Sequence, residues 1–380
     1  MNPLNNREIC RNREGELKER LAELLEELSL LHGLPGQEQP VVRFLRERFS
    51  PFAEEVHIGV NGNIYARRTG RRPGLTVMVS AHTDEIGLVV REIDPSGMIR
   101  FDKLGWFSDS FLPGTRVRVG KIPGMVGIKS GHLMTEEEKR TVLPHRNLYI
   151  DVGAANPAEV EGMGIEIGDP IAFEVPFGRW TNRDFCVGKA IDNRAACAVL
   201  IILLEKLADG DFPGTFWGVG TVQEERGLGG ARTAAQFTRP DWFIALDVAL
   251  ADDTPESPAR SKPIRLGAGA VVTLGDFLES PKRGYFIHPG LKKAALEIGR
   301  QKGISLQRKA MFGNSYTDAA AVSQEFSGVA SISLGIPMRY SHAPSSVCHL
   351  GDMEACLRLT EELIRSGIDA GDFKFLADRA

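Results

Sequence analysis

The chain has 380 residues, 42% of them hydrophobic and 25% charged, which is the balance of an ordinary soluble globular protein long enough for two domains. A formal net charge of -4 gives no electrostatic basis for binding nucleic acid or an anionic membrane. Five scattered cysteines without a C-x-x-C pair argue against a disulfide framework or a thiolate-held zinc, and for a reducing, cytoplasmic setting. Met1 to Glu19 lacks a signal-peptide core, and the longest apolar run, Ala195 to Leu204, is too short to span a bilayer.

In chain order, leucines at helical spacing from Leu17 to Leu31 predict an amphipathic helix, ended by Gly33-Leu34-Pro35-Gly36, and a second helix follows over Val41 to Leu45. Val56 to Arg67 reads as a strand pair about the Asn61-Gly62-Asn63 turn. Leu75 to Ala81 is a buried-type strand running into His82-Thr83-Asp84-Glu85. Between Gly87 and Gly178, short β-like runs alternate with Gly/Pro turns, the pattern of a small all-β domain inserted into the first one. α/β character returns at Gly188: a nearly all-apolar helix (Ala195 to Leu207), a strand (Thr215 to Val222), a helix from about Gly230, and a strand (Trp242 to Leu246). A helix (Pro289 to Lys302), a strand (Val329 to Leu334) and a closing helix (Asp352 to Ser366) follow. The predicted fold is α/β, a mixed but largely parallel sheet sandwiched by helices, over residues 1–86 and 179–380, with the β-rich insertion at 87–178.

Potential ligands stand at the ends of three predicted strands: His82 and Asp84, then Glu224 and Glu225, then Asp247. In open α/β sheets the binding crevice lies at the carboxyl ends of the strands. Taken singly, each has an ordinary reading: a strand-end charge doublet for Glu224-Glu225, a helix cap for Asp192, structural histidines for His82 and His342. Two adjacent glutamates can share one site only where the strand pleat breaks, and the glycines after them would let it break. Residues two apart share a strand face, so Asp84 can reach the His82 imidazole and fix its tautomer. Together, two histidines and three carboxylates suit Zn²⁺ or similar ions. Charge counting favours two: +4 against Asp192, Glu225 and Asp247 leaves +1, which a hydroxide would neutralise. Two ions need a shared ligand, and an aspartate can bridge. Glu224 then stays unligated and free to act as general base.

The motifs Ala81-His82-Thr83-Asp84-Glu85-Ile86-Gly87, Gly188-Lys189-Ala190-Ile191-Asp192-Asn193-Arg194, Gln223-Glu224-Glu225, Ala245-Leu246-Asp247 and Arg339-Tyr340-Ser341-His342-Ala343-Pro344 resemble those of the M42 family of dinuclear metallo-aminopeptidases. That family includes deblocking and glutamyl aminopeptidases and proteins once labelled cellulase M. The resemblance implies that Asp192 bridges two divalent ions, that His82 and Asp247 complete one site and Glu225 and His342 the other, that Glu224 is the general base, and that Asp84 orients His82. It also implies peptide substrates and a homo-oligomer built from dimers, up to a tetrahedral dodecamer. Zinc is the first expectation for the metal, with cobalt or manganese as alternatives. Hydrolysis of another amide or of a glycosidic bond is the alternative function. Two departures stand out: Arg226 follows the glutamate pair, and the usual Gly-Gly-Thr-Asp reads Gly313-Asn314-Ser315-Tyr316-Thr317-Asp318.

Overall fold

A computed structural model describes residues 6–257, 264–279, 282–312, 315–374 and 376. Gly313 and Asn314 of the departing loop, and the side chain of Cys10, lie outside the described residues.

Two helices, α1 (Asn6–Leu30) and α2 (Gln39–Phe49), precede the hairpin β1 (Glu55–Ile58) and β2 (Ile64–Thr69) and the long strand β3 (Arg72–His82). Next come β4 (Gly87–Ile93), β5 (Ile99–Leu104), β6 (Arg116–Val119), β7 (Ile122–Val126), β8 (Ile150–Asp151), the short helix α3 (Pro157–Gly162) and β9 (Pro170–Phe173). These six strands close into an antiparallel barrel in the order β4-β5-β8-β7-β6-β9. Alternate residues, among them Leu88, Val90, Ile99, Phe101, Val117 and Val119, point inward and fill it.

The chain returns through β10 (Gly178–Arg179) and β11 (Phe185–Gly188) to α4 (Ile191–Leu207), β12 (Pro213–Thr221), α5 (Gly229–Thr238) and β13 (Trp242–Leu250). The remainder is β14 (Ala270–Glu279), β15 (Lys282–Phe286), α6 (Pro289–Lys302), β16 (Leu306–Phe312), α7 (Asp318–Val322), β17 (Ala330–Arg339), β18 (Ser346–His349) and α8 (Leu350–Arg365). All strands outside the barrel belong to one 12-stranded sheet ordered β1-β2-β12-β3-β13-β17-β18-β11-β10, with β14 to β16 joined at β17.

The sheet is less parallel than expected. β12, β3, β13 and β17 run parallel at its centre, and β14 pairs parallel with β16. The other described pairings are antiparallel. Tight connections explain much of this: the Asn61 turn and the 340–345 loop are too short for a crossover, so the strands they join must reverse.

Pleating assigns the helices to two faces. Gly218 and Gly220 on β12 leave room for Leu200 of α4 and Leu45 of α2. On the opposite face, Thr238 of α5 meets the Met78 sulfur, and Asp318 of α7 accepts bonds from Ser80 and Thr221. Nearly every residue of α4 is buried, as its apolar composition requires.

Where α1, the turn after β3 and the start of α4 converge, Glu85 is buried against two cations. Lys189 Nζ lies 2.7 Å and Arg194 Nη2 3.3 Å from its carboxylate. The same glutamate accepts the Gly33 N–H, and Lys189 also donates to the Leu31 carbonyl. Replacing Glu85 by Ala strands two buried cations, so a loss of about 3–5 kcal/mol is expected. A thermal melt of the variant that superimposes on that of the parent would count against this.

Candidate metal centre

β3 delivers His82 at its last residue, paired with Thr221 at the end of β12. Asp247 is not at a strand end as expected. β13 continues to Leu250, but its pairing with β3 stops at Ala245, so Asp247 lies just past the end of its neighbour and faces the same crevice. Asp192 is not a helix cap either. Asp192 and Asn193 have non-helical backbone angles, and the Asp192 side chain turns toward the two histidines.

The break before Glu224 also differs from expectation. It falls at Gln223, a non-glycine residue with φ of 56°, and a 3-10 turn over Glu224–Arg226 follows. Left-handed backbone at such a residue costs about 1–2 kcal/mol and must be held by its surroundings. Carboxylates hold it. The Gln223 N–H donates to Glu38 Oε1 at 3.1 Å, Glu224 N–H to Asp84 Oδ1 at 3.0 Å, and Glu225 N–H to Asp84 Oδ2 at 3.0 Å. Among the glycines, Gly230 is indispensable, since a Cβ there would stand 2.2 Å from the Val222 carbonyl oxygen. Arg226 is exposed and does not line the cavity.

These elements bring all five expected ligands together in two groups. His82, Asp192 and Asp247 form one and Asp192, Glu225 and His342 the other, with ligand atoms in each within 4.8 Å of one another. Asp192 belongs to both: Oδ1 lies 3.0 Å from His82 Nε2, and Oδ2 3.5 Å from His342 Nε2. His82 Nε2 is 3.8 Å from Asp247, and His342 Nε2 is 3.6 Å from Glu225. Glu224 is buried beside both groups without belonging to either.

Both imidazoles are oriented the same way. His82 Nδ1 faces the Asp84 carbonyl oxygen at 3.2 Å, and His342 Nδ1 bonds the Trp106 carbonyl on the barrel. A carbonyl only accepts, so each Nδ1 carries the hydrogen and each Nε2 presents its lone pair to the cluster. Asp84 thus does more than orient His82: its carboxylate, 3.4 Å from Nδ1, also fixes the two glutamates.

Electrostatics here are those of an acid cluster waiting for cations. Burial raises the Glu224 and Asp247 carboxyls well above their ordinary range, with His82 opposing. Burial also lifts Glu225 to about 7 against the pull of His342. Burial lowers His342, but Glu225 and Asp192 outweigh it and carry it to about 10. His82 is likewise raised despite burial, by Asp192 and Asp84, and Asp192 itself is lowered by the two histidines. The described ion pairs of Asp192, Glu225 and Asp247 are to these histidines and to no lysine or arginine. Buried carboxylates answered only by aligned imidazole lone pairs are a donor set that fits divalent ions.

Several contributors were not legible in the sequence. Glu38 lies before α2, where an acid reads as ordinary helix-start decoration. Asp318 was noted only as part of a departing loop, yet it is buried beneath the site and held by Ser80 and Thr221. His288 and His349, expected to be structural, cap α6 and α8.

Residues 62–359 match the family described as M42 glutamyl aminopeptidase. The chain belongs to the M42 aminopeptidase family. An aminopeptidase FrvX of Escherichia coli, itself described as putative, is 35% identical over 89% of this chain and 93% of its own length. The lysyl aminopeptidase of Pyrococcus furiosus is 31% identical (90% of this chain, 96% of its own), and the glutamyl aminopeptidase of Lactococcus lactis 30% (86% and 90%). Among solved structures, an aminopeptidase of Desulfurococcus kamchatkensis superimposes with a TM-score of 0.85 at 32% identity, over 92% of this chain and 95% of that one. The TET1 peptidase of Pyrococcus horikoshii, which assembles into a tetrahedron or a large octahedral shell, gives 0.78 at 26% identity, over 90% and 99%.

For this M42 chain, ion uptake must displace the protons that Glu225 and His342 hold at pH 6. Affinity for Zn²⁺ or Co²⁺ should therefore rise from pH 6 to 9, by up to about tenfold per pH unit for each proton displaced. Titration calorimetry in two buffers of different ionisation enthalpy measures that proton release directly; none, with pH-independent affinity, would contradict the assignment.

Proposed function

We propose that this M42 aminopeptidase is a two-metal enzyme that removes N-terminal residues from peptides. His82 and Asp247 would hold one divalent ion, Glu225 and His342 the other, and Asp192 both. Zinc suits the donor set best, with cobalt or manganese as alternatives. Such ions, when bound, polarise the scissile carbonyl and acidify water.

The observation that carries the reading is the placement of Glu224. It lines the cavity beside both ligand groups, and its backbone is fixed by Asp84. Burial raises its carboxyl, which is what a proton carrier working near neutrality requires. Glu224 takes a proton from the attacking water and returns it to the amine that leaves when the peptide bond breaks. Asp84 contributes by holding His82 and the two glutamates in register. The family match does not favour the alternative of a different amide or a glycosidic bond.

The inserted segment, 87–178, is proposed as the assembly domain, with a homo-oligomer built from dimers and, by analogy with the TET1 peptidase, a closed tetrahedral particle. Four free, buried cysteines (Cys186, Cys197, Cys348, Cys356) accord with a reducing, cytoplasmic setting.

Glu224→Gln should retain two ions per chain by elemental analysis while lowering kcat by about 10²–10⁴-fold. Chelation of the parent should abolish peptide trimming. A Glu224→Gln variant that trims peptides at the parental rate would remove Glu224 from the mechanism.

A further inference from the structure

We propose that the cavity selects peptides with an acidic N-terminal residue, glutamate above all, and that Lys309 reads its side-chain carboxylate. The inference rests on the aminopeptidase reading, since it assigns the part of the cavity that the N-terminal side chain must fill.

The cavity has a volume of about 420 Å³ and two unlike walls. One carries the ligand groups and Glu224. Facing it are Val248 and Leu250 from β13, Leu278 from β14, Lys309 from β16, and Ser315 and Tyr316 from the loop before α7. When the scissile bond lies against the first wall, the N-terminal side chain projects toward the second. That wall offers Val248, Leu250 and Leu278 for methylenes, and Lys309 is the one lysine or arginine among the residues lining the cavity.

Charge decides among occupants. A lysine or arginine side chain would bring a second cation to a partly buried ammonium, and a leucine would strip water from it without return. A carboxylate on a short apolar stem satisfies both the aliphatic surface and the ammonium, with charge-assisted hydrogen bonds. Asp276 stands behind this wall: buried, electrostatically coupled to Lys309 and bonded to Ser315. It is not a lining residue, so it braces Lys309 and the loop rather than meeting the substrate. The lysyl and glutamyl relatives are almost equally distant, at 31% and 30% identity, so overall likeness does not choose between basic and acidic substrates. The cavity's own cation does.

The test uses the metal-loaded full chain and a panel of aminoacyl p-nitroanilides (Glu, Asp, Leu, Lys), comparing kcat/KM. The parent should favour Glu over Leu and Lys by at least roughly tenfold, and Lys309→Met should lower the Glu:Leu ratio by roughly tenfold or more, chiefly through KM. Lys309→Glu should raise the Lys:Glu ratio by a similar factor, roughly tenfold. A thermal melt of each variant shows whether it is folded. A parent that prefers Leu or Lys, or a Glu:Leu ratio indifferent to Lys309→Met, overturns the assignment while leaving the aminopeptidase intact. A loaded parent that cleaves none of the panel and trims no free-N-terminus peptide overturns the aminopeptidase reading and this one with it.

Discussion

The site depends on a strand that is made to stop. β12 ends at Thr221, and one residue after Val222 the backbone turns left-handed at Gln223, a residue with no intrinsic preference for that conformation. Three successive N–H groups are thereby turned outward, and three carboxylate oxygens, one from Glu38 and two from Asp84, receive them. Without the break, Glu224 and Glu225 would point to opposite faces of the sheet. With it, one side chain joins a ligand group and the other stands beside both. The same Asp84 carboxylate lies 3.4 Å from His82 Nδ1, so the geometry of the glutamate pair and the aim of the imidazole share one anchor.

That anchor is itself held from behind. The residue after Asp84 is Glu85, locked to Lys189 and Arg194, which flank Asp192 in sequence. A buried ion cluster of this kind adds little net stability, because desolvation offsets most of its attraction. Its geometric effect is larger. It ties the segment carrying His82 and Asp84 to the segment carrying Asp192, with Leu31 and Gly33 as further fixed points. Ligands from distant parts of the chain are thus set against one another by short, directional bonds rather than by packing alone.

Much of this was legible in the sequence, and the illegible parts have physical causes. Strands β3, β12 and β13 and helices α4, α6 and α8 announce themselves through apolar runs and periodicity, and polar residues just past those runs flag the crevice. β14, β15 and β16 do not, because their strand character comes from pairing with β17 and with one another more than from local pattern. Asp247 reads as a strand end only if each strand is assumed to stop with its neighbour. Glu38 gives no signal at all: its partner, the Gln223 amide, is 185 residues away. Nor does sequence distinguish an aspartate that orients a histidine from one that also captures two backbone amides.

The barrel belongs to the site's construction rather than standing apart as an appendage. Leaving β5, the chain passes Gly105 and Trp106 before turning away. A Cβ on Gly105, whose φ is 85°, would lie 3.2 Å from a Glu225 carboxylate oxygen and 2.6 Å from Ile86. Only glycine lets the barrel approach that closely. The next residue gives its carbonyl to His342 Nδ1 and its largely exposed indole to the cavity rim. His342 itself sits in left-handed backbone on a loop between β17 and β18, where little else would fix its ring. The barrel therefore supplies the group that aims one of the two histidines. Any shift of the barrel, whether from assembly with other copies or from a peptide pressing on Trp106, would be felt first at His342.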